Sequence, residues 1–529
     1  MKGSTLIAAA ATLFSSVSAV DPIVIKGSKF FYGGNGTQFY MRGIAYQQEI
    51  NSNTSQTETL KYVDPLADTT SCKRDIEYLV KLRTNTIRVY AIDPTKNHDD
   101  CMNALANAGI YVVADLSEPG LSINRDQPSW TTDLYKRYTN VVDVMSKYNN
   151  TLGFFAGNEV SNQFNNTAAS AYVKAAVRDT KAYIKSKNYR TMGVGYATND
   201  DADIRKNLAA YFDCGNREEA IDFWGYNIYS WCGKSSFQES GFDVRTKEFE
   251  KYDVPVFFAE YGCNNVRPRL FTEVGTLYGS QMNNIWSGGI VYMYFEEANE
   301  YGLVKVTNGK VETNKDFENL SKEIAKATPT GVKMADYNPT NTAAATCPTF
   351  VAQKWEAQSS PLPPVPNSQL CSCMMDTLSC TVADKATEDD YGEVFGYICG
   401  LKKGAYCAGI NRNSTAGPFG AYGMCSSKEQ LAFALNQYSL NVTNGCGFDG
   451  KATKQTAKTA SATCKSLMSE AGPAGTGTVS TSPQGSGSSS TNSPGAASSL
   501  TIPRFESGVF SLGLYLGTAI LSGAAMILL

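Results

Sequence analysis

Two glutamates close apolar runs in this chain: Glu159 in Leu-Gly-Phe-Phe-Ala-Gly-Asn-Glu (152 to 159) and Glu260 in Val-Pro-Val-Phe-Phe-Ala-Glu-Tyr-Gly (254 to 262). Each run reads as a buried strand that delivers one carboxylate at its C-terminal end. Breaking a glycosidic bond needs one carboxyl group to protonate the leaving oxygen and a second to attack the anomeric carbon or activate water. Asn158, beside Glu159, can place an amide on a sugar 2-hydroxyl, a contact that strengthens in the transition state. Arg88, in Thr-Ile-Arg-Val-Tyr, can reach the nucleophile and keep it ionised, because a nearby cation lowers an acid's pKa. Tyr90, Tyr229, Tyr292 and Tyr294 stand at or near the ends of apolar runs, where phenol rings can stack on pyranose faces. Taken singly, a strand-end glutamate is more simply a salt-bridge partner and a tyrosine simple packing. Their joint occurrence favours chemistry.

The elements that must position these groups alternate along the chain. Eight runs have strand character: 39–46, 85–92, 110–116, 152–157, 191–197, 221–229, 254–261 and 289–295. Between them, 72–82, 130–148, 168–186 and 270–286 have helix-compatible apolar spacing. Eight such alternations over roughly 300 residues predict an α/β fold, a (β/α)8 barrel, with Glu159 on its fourth strand and Glu260 on its seventh. An open doubly wound sheet is the alternative, but no Gly-rich phosphate loop follows the first strand.

Both ends of the 529-residue chain read as processing signals. Lys2, the apolar stretch from Leu6 to Phe14 and the small-residue exit Val17-Ser18-Ala19 predict a signal peptide over 1–19. The apolar stretch 508–529 has no Lys or Arg after it, and small residues and a polar spacer precede it, the layout of a GPI-attachment signal over 498–529. A plain C-terminal membrane helix is the alternative. Fourteen cysteines and sequons at Asn35, Asn53, Asn149, Asn165, Asn319, Asn413 and Asn441 agree with secretion and favour disulfides over metal sites. A formal charge of −3 without long basic runs gives no footprint for nucleic acid. The single histidine, His98, rules out Ser-His-Asp hydrolysis and His-rich metal centres, and its polar neighbours suggest a solvated helix start.

These signals divide the rest of the chain into a catalytic domain over 20–350, a stiff Pro-rich connector over 351–367, a Cys-rich module over 368–470 and a Ser/Gly/Thr-rich stalk over 471–497. The module carries Cys371, Cys373, Cys380, Cys399, Cys407, Cys425, Cys446 and Cys464, a density that points to a small core held by disulfides.

Six segments together carry a resemblance: Phe-Tyr-Met-Arg-Gly-Ile-Ala-Tyr-Gln (39 to 47), Thr-Ile-Arg-Val-Tyr-Ala-Ile (86 to 92), Gly-Phe-Phe-Ala-Gly-Asn-Glu-Val (153 to 160), Tyr-Ser-Trp-Cys-Gly (229 to 233), Phe-Phe-Ala-Glu-Tyr-Gly-Cys (257 to 263) and Trp-Ser-Gly-Gly-Ile-Val-Tyr-Met-Tyr-Phe-Glu-Glu (286 to 297). The chain resembles the fungal cell-wall β-1,3-glucanosyltransferases of glycoside hydrolase family 72. Phe-Ala-Leu-Asn-Gln-Tyr (433 to 438) and Cys-Gly-Phe (446 to 448) are similar to the X8 or family 43 carbohydrate-binding module that one branch of these enzymes carries. The resemblance implies Glu159 as acid/base, Glu260 as nucleophile, and sugar-binding roles for Tyr90, Asn158, Tyr229 and Tyr292. It also suggests Cys72–Cys101, Cys214–Cys347 and Cys232–Cys263 pairs, leaving eight cysteines to the module in an order that spacing does not dictate. Ser230 departs from relatives with an acidic residue there.

The implied reaction is retaining transfer of a β-1,3-glucan segment from a donor chain to the non-reducing end of an acceptor chain. It calls for no metal or cofactor. The alternatives are a hydrolytic β-1,3-glucanase and a non-catalytic glucan-binding wall protein. Expected partners are donor and acceptor glucan and a membrane reached through the GPI anchor. The chain is expected to be monomeric, on the outer face of the plasma membrane, with the cell wall as a further destination.

Overall fold

The computed structural model describes residues 20–48, 62–415, 417 and 419–480. The expected signal peptide, the stalk beyond residue 480 and the GPI propeptide lie outside the described residues, as does Asn53. A short antiparallel hairpin comes first, β1 (Ile23–Lys26) and β2 (Lys29–Tyr32), extended by β3 (Gln38–Phe39). Eight parallel strands then close into a barrel: β4 (Met41–Ala45), β5 (Thr86–Val89), β6 (Tyr111–Asp115), β7 (Thr151–Asn158), β8 (Gly193–Thr198), β9 (Trp224–Asn227), β10 (Val256–Tyr261) and β11 (Trp286–Val291). Closure is made by β11 pairing with β4 in parallel.

Helices follow the strands: α1 (Thr69–Lys81), α2 (Asp99–Asn107), α3 (Thr132–Met145), α4 (Ser170–Ser186), α5 (Arg205–Asp213), α6 (Phe242–Phe249), α7 (Glu273–Leu277) and, after the hairpin β12 (Val304–Thr307) and β13 (Lys310–Thr313), α8 (Lys315–Ile324). Asp68 and Thr131 cap the first turns of α1 and α3 with their side chains. The expected helix over 270–286 is the exception. Only Glu273–Leu277 is α-helical there, and Trp286 begins the eighth strand, three residues before the predicted run. Gly275 and Gly279 weaken helical propensity across this segment, and Trp286 is buried as the first residue of the eighth strand.

The hairpin plugs the N-terminal end of the barrel. The Phe30 ring lies 6.1 Å from both Phe223 and Phe257, and Phe223 lies 5.4 Å from Phe155. Small residues make room for these rings: a Cβ on Gly195 would stand 2.3 Å from the Phe223 ring. With one end filled, the free mouth lies at the C-terminal ends of the strands.

The module packs α9 (Ser368–Thr377), α10 (Glu388–Gly400), α11 (Ser427–Ser439) and α12 (Ala462–Ala471) around a two-stranded ladder of β14 (Cys380–Val382) and β15 (Ala452–Lys454). The three barrel disulfides pair as the resemblance suggests. In the module the pairs are Cys371–Cys425, Cys373–Cys464, Cys380–Cys446 and Cys399–Cys407.

Two expectations about spacers change. The segment 351–367 is docked on the barrel instead of standing free: Trp355 is fully buried, its ring 5.2 Å from Tyr211, and Pro363 accepts a bond from Arg178. Module residues 412–424 bond to the same side, through Arg412 to Tyr172, Ser414 to Ala168 and Met424 to Thr132. The first ten residues of the expected stalk also pack on the module, where Gly475 accepts from Ala421 and Ser480 is held by Glu470. Buried apolar area at Trp355 and Val479 outweighs the extended tendency of the surrounding Pro, Gly and Ser. Trp355→Ala is therefore expected to cost about 3–5 kcal/mol and lower the melting temperature of the intact chain. An unchanged melting curve would mean that the docking adds no stability.

Candidate active site

Irregularities in the ladder precede both glutamates. The register of β7 against β8 shifts between Phe155 and Asn158, and that of β10 against β9 shifts between Phe258 and Glu260. Such shifts re-aim side chains at the ends of strands. Glu159 then takes a left-handed backbone conformation, φ +49°, with its N–H donating to Ala197 and its carbonyl accepting from Arg125. This conformation is uncommon for a residue with a Cβ, and its cost marks a position that the surrounding structure holds in place.

Arg88 on β5 is the fully buried hub. Its guanidinium donates from Nε and Nη2 to the two oxygens of Asp115, at 3.1 and 2.9 Å, in a bidentate pair. Nη1 reaches Glu260 Oε1 at 3.2 Å and Nη2 reaches Asn158 Oδ1 at 3.0 Å. Asn227, at the end of β9, donates from Nδ2 to Asn158 Oδ1 at 3.1 Å and to Glu159 Oε1 at 2.8 Å. One hydrogen-bonded network therefore joins the two glutamates.

Two phenols fix the Glu260 carboxylate from either side. Tyr90 donates to Oε1 at 2.9 Å and Tyr229 donates to Oε2 at 2.8 Å. Burial pushes both phenols well above their ordinary range, which keeps them protonated as donors. Tyr292 stands edge-on to Tyr90 and to Tyr301, with Tyr301 in turn against Tyr229, so four rings line the mouth.

The electrostatics are opposed forces. Burial pushes the Glu260 carboxyl up to about 7, while Arg88 and the two phenols pull it down and Glu159 adds a like charge. For Arg88, burial works against the charge, but Asp115, Tyr90 and Glu260 hold it above its ordinary value. Because Arg88 lowers the Glu260 pKa, weakening that contact must raise it. Arg88→Lys, which keeps a cation but loses the forked geometry, is expected to move the acid limb of kcat/KM upward by about one pH unit. A limb that stays put or moves down, measured with a laminari-oligosaccharide, would remove Arg88 from control of Glu260.

The structure brings Arg88, Tyr90, Asn158, Glu159, Tyr229, Glu260 and Tyr292 together. It leaves Tyr294 out: its hydroxyl bonds to Asp75 on α1, shared with Tyr46, so it packs strand against helix. His98 does start α2, yet it is buried against Asp64 at 2.7 Å instead of solvated. Ser230 Oγ donates to the Ser240 carbonyl. Sequence reading missed Asp115, Asn227 and Tyr301. The first two end the observed strands β6 and β9, one and two residues before the ends of the predicted runs, so a polar residue near a strand end was the available signal. Tyr301 lies beyond the eighth strand and carries no such mark.

A (β/α)8 barrel with two carboxyl groups, a buried arginine and an aromatic mouth defines a carbohydrate-active protein of the glycoside hydrolase type. The chain belongs to the glucanosyltransferase family, glycoside hydrolase family 72, whose profile matches residues 12–328, and an X8 domain matches 378–453. It is 55% identical to a 1,3-beta-glucanosyltransferase of Arthroderma benhamiae over 100% of both chains. It is 48% identical to 1,3-beta-glucanosyltransferase GAS2 of Saccharomyces cerevisiae over 78% of this chain and 76% of that one. A solved structure of mutant Saccharomyces cerevisiae Gas2p in complex with laminaritetraose and laminaripentaose superposes with a TM-score of 0.76 at 43% identity, covering 86% of this chain and 100% of that chain.

Proposed function

We propose that the chain is a retaining β-1,3-glucanosyltransferase in which Glu260 is the nucleophile and Glu159 the acid/base. The network that ties Glu260 to Glu159 through Arg88, Asn158 and Asn227 carries this reading. Glu260 attacks the anomeric carbon of an internal β-1,3 linkage while Glu159 gives its proton to the departing O3, leaving a glycosyl ester on Glu260. The 3-hydroxyl at the non-reducing end of an acceptor then loses its proton to Glu159 and attacks the same carbon. Two inversions retain the β configuration.

Tyr90 and Tyr229 donate to the nucleophile before attack, and these bonds must loosen as the ester forms. Asn227 donates to Glu159 and orients the acid, and Asn158, its Oδ1 held by Arg88 and Asn227, offers its amide N–H to a sugar 2-hydroxyl. Incubation with one defined laminari-oligosaccharide tests the reading: products longer than the starting sugar require transfer, and exclusively shorter products would make the protein a hydrolase.

For the whole chain, we propose secretion and a GPI anchor on the outer face of the plasma membrane, supported by the terminal segments, the sequons and the seven disulfides. Among the described residues no helix is long and apolar enough to cross a membrane. Release of the protein from intact cells by a phosphatidylinositol-specific phospholipase is the expected result. Full retention would remove the anchor.

A further inference from the structure

Past the ends of β10 and β11 the ladder stops, and backbone groups at the mouth must find partners elsewhere. Arg269, buried at 1% exposure in the segment between β10 and α7, supplies them. Its Nη1 donates to the Tyr292 carbonyl at 2.6 Å and to the Gly262 carbonyl at 3.3 Å, and its Nη2 donates to the Tyr301 carbonyl at 2.6 Å. These acceptors are the residue after β11, the residue after β10 and a residue of the loop leading to β12. One guanidinium therefore ties together the two mouth segments on either side of the barrel's last strand pair, a task suited to a rigid fork of donors. Gly262 admits the fork. Its φ is +109°, and a Cβ there would stand 3.3 Å from Arg269 Nη1 and 3.2 Å from the Phe271 ring.

The fork is aimed from outside the barrel. Asn314 caps α8 by accepting from the Phe317 N–H at 3.1 Å, and Asp316 follows in the first turn, where a helix end favours an anion. Asp316 Oδ2 accepts from Arg269 Nε at 2.6 Å, and its Oδ1 accepts from the Arg269 backbone N–H at 2.9 Å. Asn319 on the same helix donates to the Arg269 carbonyl at 2.8 Å. With backbone and side chain both held by α8, Nη1 and Nη2 are left to the mouth.

Glu260 itself anchors Tyr90 and Tyr229 through their hydroxyls, whereas the carbonyls of Tyr292 and Tyr301 hang on Arg269. The Tyr292 and Tyr301 rings stand 5.4 Å apart, and reach Tyr90 at 6.4 Å and Tyr229 at 5.7 Å respectively. We propose that Arg269, aimed by Asp316, is a positioning residue for the aromatic mouth: it sets where the Tyr292 and Tyr301 rings stand, and so how tightly the mouth grips a glucan chain, without touching the sugar. The proposal rests on the glucan-transfer reading for its substrate. Stacking of a ring on a pyranose is alike in the ground and transition states, so loosening it weakens binding more than it slows chemistry. Arg88 governs the charge of the nucleophile, and Arg269 the spacing of the rings.

The test uses the intact chain with laminaripentaose and the variants Arg269→Lys, Tyr301→Ala and their double. Lysine keeps the charge opposite Asp316 but loses the fork. Arg269→Lys is expected to raise KM by about fivefold or more while kcat stays within about threefold. Because Arg269 acts through the rings, adding Arg269→Lys to Tyr301→Ala is expected to raise KM by less than it does in the native chain. A native KM in Arg269→Lys overturns the proposal, as does a fall in kcat at unchanged KM, or effects that multiply fully in the double variant. If Arg269→Lys melts below the assay temperature, Asp316→Asn carries the same comparison, since an amide of equal size keeps one acceptor but loses the ion pair. Equilibrium binding of laminaripentaose to Glu260→Gln, with and without Arg269→Lys, reads the grip without turnover. Native products that are exclusively shorter would thus sink the transfer reading alone, and equal affinities in that pair would sink the Arg269 proposal alone.

Discussion

Glu260→Gln is expected to lower turnover of a laminari-oligosaccharide by about 10⁴-fold or more while laminarin binding stays within a few-fold of the native chain. The amide keeps the size of the side chain and can still pair with Tyr90 or Tyr229, but it cannot form a glycosyl ester. A variant that still turned over at a tenth of the native rate would mean that another group attacks the sugar.

The same substitution has a stability signature with a definite sign. Burial places the Glu260 carboxyl at about 7 in the folded chain, against an ordinary value of 4.5. Below pH 4.5 the group is protonated in both states and costs nothing. As pH rises from 4.5 through 7, the unfolded chain gives up this proton while the folded chain still holds it, and the native chain loses up to about 3 kcal/mol relative to the glutamine variant. Glu260→Gln is thus expected to melt a few degrees higher than the native chain at pH 8 and level with it at pH 4. The opposite ordering would show that Arg88 and the phenols stabilise the carboxylate more than burial opposes it.

The second large effect concerns the other glutamate. Glu159→Gln is expected to slow reaction with glucan by about 10²–10⁴-fold, because a sugar oxygen is a poor leaving group without a proton. An aryl laminarioside with an acidic phenol needs no such proton. With that donor the first step recovers, but attack by an acceptor hydroxyl remains slow for want of a base, so the glycosyl ester accumulates. Intact-mass measurement would find the chain heavier by the donor glycosyl group. Recovery of the first step without accumulation would confine Glu159 to the role of acid, and a near-native rate on glucan would remove it from catalysis.

The sequence determined the scaffold and the placement of the two glutamates at its mouth. Strands buried on both faces read as continuous apolar runs, and a polar residue ending such a run stands at the mouth of a barrel wherever the runs number eight. Glu159, Glu260 and Asn158 were legible for this reason, and Arg88 as a lone charge inside the run 85–92, whereas Asp115 and Asn227 lie short of the ends of their runs.

Tertiary structure alone decided which of several equivalent side chains face the mouth. Tyr292 and Tyr294 lie two residues apart near the same strand end, yet Tyr292 meets Tyr90 and Tyr294 turns outward to Asp75 on α1. Likewise, no local pattern could say that Trp355 would bury itself against Tyr211, or that residues 471–480 would fold back on the module. Local pattern records what each segment must hide from water, whereas the partner it hides against is fixed only when distant segments meet. The Arg88 network is the plainest case, since its members come from five strands, β5, β6, β7, β9 and β10, and acquire their bonds from one another.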